Sequence, residues 1–177
     1  MTFVLKLKHW QVFALIFAGL LMSNFEIENQ KELSIIISIV GTALCFIWPL
    51  LIGHGLYQLL PERIHFNYNF FIINSFIWLA AYVAAMAISD GQGMTFHGVA
   101  ALPGFYVFYA FVYYLAFPVR VLNSIENAKK ATLQDYIGDF FLVIFLPFGI
   151  WFLQPRINKV ANNEGRGTNG NSKASSR

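Results

Sequence analysis

The chain predicts an all-α membrane protein: a four-helix transmembrane bundle followed by a C-terminal re-entrant or interfacial helical segment, with five transmembrane helices as the alternative. Three observations carry this. First, residues 9–25, 33–61, 64–89, 91–119 and 140–155 contain no Asp, Glu, Lys or Arg. Second, three of those runs are 26 to 29 residues long, more than the ~20 apolar residues that cross a bilayer. Third, 12% of the 177 residues are charged, 57% hydrophobic and 18% aromatic, whereas soluble domains carry about 25% charge. Residues 1–160 therefore read as one transmembrane helical domain, with no length left over for a separate soluble one.

The first span covers about 9–25. It is short, and Lys6 and Lys8 extend it by snorkelling to the interface. Two lysines before an apolar run look like a signal peptide. Ser23-Asn24-Phe25 is not a small-x-small cleavage site, however, so an uncleaved first helix is expected. The second span covers about 33–56 and can run on to Leu60; Pro49 removes a backbone donor and predicts a kink. The third covers about 68–89 and ends at Asp90-Gly91-Gln92-Gly93, a strong turn signal. The fourth covers about 99–118, and its helix can continue past Pro118 to Ile125.

Residues 119–132 are the most polar internal stretch. Val121, Leu122, Ile125 and Ala128 recur there at helical spacing, which suits an interfacial helix. Thr132-x-x-Asp135 then forms a capping box that restarts a helix at Leu133. Residues 161–177 are rich in Asn, Gly, Ser, Lys and Arg and predict a disordered polar tail.

Lys and Arg gather in cytoplasmic loops. Lys6, Lys8, Arg63, Arg120, Lys129 and Lys130 fall on one side of this topology, against Lys31 alone on the other. The N-terminal residues are therefore expected inside. The fifth run, 133–155, is the puzzle. Were it to span, Arg156 and Lys159 would emerge on the wrong side. A helix over 133–146 rises only about 21 Å, too little for about 30 Å of hydrocarbon. Pro147-Phe148-Gly149 then turns the chain back. The competing arrangement is a plain fifth helix over 133–154. The two differ in one measurable way. A hairpin brings Asp139 and Arg156 together, whereas a single helix holds residues 17 apart about 25 Å from each other.

Few residues suggest chemistry. Asp139 and Arg156 form a candidate structural or functional ion pair at the membrane edge, where a carboxylate needs a cation or a polar cavity. His54, between Gly53 and Gly55, is a candidate proton relay or an interfacial histidine bonded to a neighbouring helix. Asn74 is deep enough to need a partner and reads as interhelical glue. Tyr106, Tyr109 and Tyr113 share one helix face and could line a polar cavity or a lipid-binding groove, or pack against a neighbour. Ala80/Ala84 and Ala81/Ala85 permit close helix approach. Trp10, Trp48 and Trp151 read as interface markers. His97 and Asp90 share a loop, which is weak evidence for a site.

Several functions are left without support. The single Cys45 excludes a disulfide framework. No phosphate loop, H-E-x-x-H helix or G-x-S-x-G elbow is present. No cofactor, metal or nucleic acid is expected. The expected partners are the lipid bilayer and a membrane protein or further copies of this chain.

The stretch from Asp135 to Asn158 reads DYIGDFFLVIFLPFGIWFLQPRIN. It resembles the closing segment of a group of short bacterial multipass inner-membrane proteins. Those typically show a D-[YF]-x-G-[DE]-F-F start, a P-x-G-[IV]-W centre and a Q-P-R-I-N end. Asp135, Gly138, Asp139, Phe140, Phe141, Pro147, Gly149, Trp151 and Gln154 to Asn158 match, and Leu7 to Gln11 looks similar to their N-terminal stretch. The resemblance implies a bacterial cytoplasmic membrane and brings no activity. The leading expectation is thus a non-enzymatic accessory or oligomeric membrane component. The alternatives are a small channel or transporter with a polar path between helices 3 and 4, and a lipid-facing enzyme.

Overall fold

A computed structural model describes residues 4–89 and 98–174, with side chains described as far as residue 163. The expected turn at Asp90 to Gly93, and the Asp90 and His97 pair, lie outside the described residues. Among the described residues six helices follow one another: α1 His9–Ser23, α2 Lys31–Gln58, α3 Tyr68–Ile88, α4 Ala101–Glu126, α5 Leu133–Ile144 and α6 Leu146–Ala174. Single 3₁₀ turns lie at Val4–Lys6 and Gly98–Ala100, and no strand occurs among the described residues.

Three of these helices, α2, α3 and α4, are long and apolar enough to cross a membrane, which marks the chain as a membrane protein. The expectation of four such spans is met only in part. The 15 residues of α1 rise about 22 Å, short of about 30 Å of hydrocarbon. It packs tightly against α2 all the same. A Cβ on Gly19 would stand 2.8 Å from the Gly41 carbonyl and 2.7 Å from Cys45 Sγ. Close helix approach is therefore made by these two glycines. The alanine pairs of α3 do not make it: Ala81, Ala84 and Ala85 border an open groove.

The core lies toward the end of the bundle that carries Lys6, Arg63, Arg120 and Lys130, called here the basic end. Phe71 stacks on Phe117 with ring centres 4.1 Å apart. Gly53 leaves room for them, since a Cβ there would meet Phe71 at 2.7 Å. Ile52, Leu56, Leu122, Leu153 and Ile157 complete the packing. Trp48 is 2% exposed, so it is a core residue rather than an interface marker, whereas Trp10 and Trp151 are exposed.

Residues 119–132 do not form a separate interfacial helix. Instead α4 continues through Pro118 to Glu126, with Val119, Val121 and Leu122 buried in the core. Their spacing marks a face, and that face meets protein. Ala128 adopts positive φ just past the helix, and the chain then turns into α5. The capping box forms at the expected place: the Asp135 carboxylate accepts from the Thr132 N–H and hydroxyl, each at 2.8 Å.

The fifth run breaks into two helices, as a hairpin requires, but the break is not at Pro147 to Gly149. It falls at Phe145, whose N–H still donates to Phe141 O at 3.0 Å. Pro147 sits in the first turn of α6, where its missing N–H costs nothing. Gly149 serves close approach instead, because a Cβ there would overlap the Leu142 carbonyl. The polar residues after 160, for which composition predicts disorder, continue α6 as helix to Ala174, with Val160 and Ala161 its last buried positions among the described side chains.

Candidate functional site

Three consecutive stretches of α4, α5 and α6 meet at the basic end. The Arg156 guanidinium donates to both Glu126 oxygens, through Nε at 3.0 Å and through Nη2. Its Nη1 donates to Asp139 Oδ1 at 2.7 Å. Asn123 Nδ2 donates to the other Asp139 oxygen at 2.6 Å. One cation thus joins the end of α4 to the middle of α5, and Asn123 fixes the second carboxylate oxygen. The side chains are 34% exposed for Arg156, 27% for Glu126 and 15% for Asp139. Asp139 and Arg156, paired by the sequence argument for a hairpin, are in direct contact.

The same turn of α6 grips the N-terminal segment. Gln154 Nε2 and Asn158 Nδ2 donate to the Leu7 carbonyl at 3.1 and 3.3 Å. That carbonyl lies between the 3₁₀ turn at Val4–Lys6 and α1. Gln154 also donates to Asn158 Oδ1 at 3.1 Å. The Q-P-R-I-N pattern therefore has a physical division of labour. Its two amides, one helical turn apart, hold residue 7. Its arginine holds α4 and α5. Ile157 is buried between them. Gln154 Oε1 is buried and finds no donor among the described residues.

The other sequence candidates are scattered. His54 Nδ1 meets the Tyr68 hydroxyl, and its Nε2 lies 3.0 Å from Gln58 Nε2. Both ring nitrogens are thus engaged, and Tyr68 belongs to α3, the neighbouring helix. Asn74 is fully buried, yet its Nδ2 donates to Phe70 O of its own helix at 2.7 Å rather than across to another. Its Oδ1 has no partner among the described residues. Tyr106 and Tyr109 are each 47% exposed and lie against one another and Tyr113 on the outside of α4.

The space between α3 and α4 does not fit the polar path the tyrosines suggested. It is an apolar groove of about 970 Å³ lined by Trp78, Ala81, Tyr82, Phe105, Phe108 and Phe111, among others. None of Tyr106, Tyr109, Tyr113 or Asn74 borders it. Among the described residues no three His, Cys, Asp or Glu gather as a metal site.

Sequence reasoning missed Glu126, Asn123 and Tyr114, and placed Gln154 only within the Q-P-R-I-N motif. Glu126 sits in the polar connection, and its charge sign was the only available signal. Tyr114, next to the exposed stripe, is the tyrosine that is buried; its hydroxyl donates to Phe46 O at 2.7 Å, bonding α4 to α2. No protein-family model, curated protein or solved structure matches the chain.

Proposed function

We propose that the chain is a multi-pass protein of a bacterial cytoplasmic membrane, crossing it through α1 to α4 with the basic end in the cytoplasm. In this reading α5 and α6 form a re-entrant hairpin that dips into the bilayer from the cytoplasmic side. Its role is non-enzymatic, as an accessory or oligomeric component that meets its partner through the hairpin and the Q-P-R-I-N turn.

The observation that supports this best is the contact of Arg156 with both Glu126 and Asp139. It puts the end of α4, the middle of α5 and the third turn of α6 at one level, which a straight fifth span cannot do. Two further features agree. Phe141, Phe145, Phe148 and Phe152 are 54% to 75% exposed, a surface that suits hydrocarbon at the hairpin tip. Lys6, Lys8, Arg63, Arg120, Lys129, Lys130 and Arg156 share one side, as the positive-inside bias demands. Lys6 and Lys8 flank α1 and can lengthen it by snorkelling.

Fusing a fluorescent or alkaline-phosphatase reporter to the C-terminus tests the topology. Cytoplasmic fluorescence is expected, and periplasmic phosphatase activity would overturn the hairpin. Proteoliposomes test the role: no ion or solute flux is expected, and a flux abolished by Asp139→Asn would replace the accessory reading with a transporter.

A further inference from the structure

The ion pairs at the basic end use Lys129 and Arg156. Of the cations there with no carboxylate within 4.0 Å among the described residues, Arg120 and Lys130 converge on one ring. Arg120 Cζ lies 4.8 Å and Lys130 Nζ 5.5 Å from the centre of Phe66. Arg120 Nε also donates to Ala131 O at 3.4 Å, which ties it to the segment bearing Lys130. A ring face attracts each cation, but two like charges on one aromatic group repel. An anion placed between them would relieve that repulsion.

The helix geometry says what kind of anion. Tyr106, Tyr113 and Arg120 are spaced by seven residues, so they lie on one face of α4 with about 10 Å between successive members. Tyr109 lies between the first two on the same face. Arg120 ends the charge-free run 91–119, where a spanning helix meets the headgroups. The hydroxyls of Tyr106 and Tyr109 have no hydrogen-bond partner among the described residues. An exposed aromatic stripe leading at one end to two uncompensated cations is complementary to a molecule with a long apolar tail and an anionic head.

We propose that Arg120 and Lys130, held over Phe66, bind the phosphodiester of an anionic phospholipid whose acyl chain lies along Tyr113, Tyr109 and Tyr106. Arg120 supplies a planar fork suited to two phosphate oxygens, and Lys130 supplies a point charge. The inference rests on the reading of the basic end as a membrane face. Its test is independent of which side that face occupies.

The full chain, purified in mild detergent, is titrated with phosphatidylglycerol and with phosphatidylcholine of the same acyl chains, and bound lipid is counted by native mass spectrometry. Phosphatidylglycerol should bind preferentially. Arg120→Gln with Lys130→Gln should weaken it about thirtyfold, while Lys159→Gln, a cation elsewhere on α6, leaves it unchanged. Phe66→Leu keeps both charges and should weaken binding about threefold; it decides the matter if the double variant loses its helical circular dichroism. Equal binding of the two lipids, equal losses in Lys159→Gln and the double variant, or displacement of phosphatidylglycerol by inorganic phosphate would each overturn the site. Lipid selectivity can hold while the C-terminal reporter refutes the hairpin, so the two failures are distinguishable.

Discussion

Two consecutive helix pairs in this chain solve the same packing problem differently. α5 and α6 are joined by the single residue Phe145 and meet both near that joint and further along. Gly149 lies against the Leu142 carbonyl, and Arg156 locks to Asp139 further along. α3 and α4 are joined by a longer connection and close only toward the basic end, where Phe71 stacks on Phe117. Beyond Trp78 they part around a groove of about 970 Å³. Without a hydrophobic force between helices in lipid, association depends on close backbone approach and on polar contacts. The hairpin has both. The far half of the α3–α4 seam has alanines facing phenylalanines across open space, and small residues alone do not pull helices together. Damage to the hairpin should therefore be local and severe.

The largest effect is expected from Gly149→Ala. The added methyl overlaps a backbone carbonyl rather than a side chain that can rotate away, so α5 and α6 must separate. A cost of about 3 kcal/mol is expected, at the upper end of overpacking effects. Gly138→Ala is the matched control, because nothing lies within 4 Å of a Cβ at that position. There the helix gains about 0.5–1 kcal/mol from the loss of glycine freedom. Unfolding in mixed detergent micelles should move in opposite directions for the two variants. Equal effects would mean that the hairpin is not sealed at its tip.

Arg156→Ala comes next. Glu126 and Asp139 would then face each other with no cation between them. Removing one partner of a fully buried pair costs about 3–5 kcal/mol. The Arg156 side chain is 34% exposed, so solvent screening lowers the expectation to about 1–3 kcal/mol. Replacing Arg156 with Lys should recover only part of this, since an ammonium cannot serve both carboxylates as a planar fork does. A lysine variant as stable as the native chain would show that charge alone matters here.

What the sequence made visible, and what it hid, follows from the same physics. The runs without charge located α1, α2 and α3 within a few residues, because lipid forbids charge along a whole span, but α4 continues seven residues past the fourth run and the fifth run falls across the break between α5 and α6. Asp139 and Arg156 were legible as partners because a carboxylate at the membrane edge needs a cation, and only a hairpin brings these two together. Glu126 was hidden: it precedes Arg156 by 30 residues in a stretch that resembles a solvated connection. The faces of the spans were hidden too. Tyr113 and Tyr114 are neighbours in one apolar helix, and only the second is buried. Lipid and protein interior are equally apolar, so hydropathy does not separate them. Trp48, read as an interface marker, and Asn74, read as a bond between helices, were misassigned for that reason. The proline at 147 was likewise mistaken for the bend, although a proline fits the first turn of a new helix as well as it ends an old one.

The smallest effect concerns the start of the hairpin. The Asp135 carboxyl is held below its ordinary range, first by the Thr132 N–H, then by the Thr132 hydroxyl and by Lys129. A carboxylate depressed in this way stabilises the folded state above the ordinary value of 3.8, and the contribution disappears as pH falls through the lowered value. Backbone amides at 133–136 should therefore exchange hydrogen faster at acidic pH than the rest of α5, after correction for intrinsic rates. Asp135→Asn should show the faster exchange at all pH values and lose the dependence, because its amide cannot accept as strongly from Thr132. The α5–α6 tip at Phe145 should be unaffected in either case, since Gly149 and the Arg156 contacts close the hairpin independently of its cap. If protection at the tip fell together with that at 133–136, the hairpin would open as one unit from its N-terminal end, and the seal at Gly149 would be secondary to the cap.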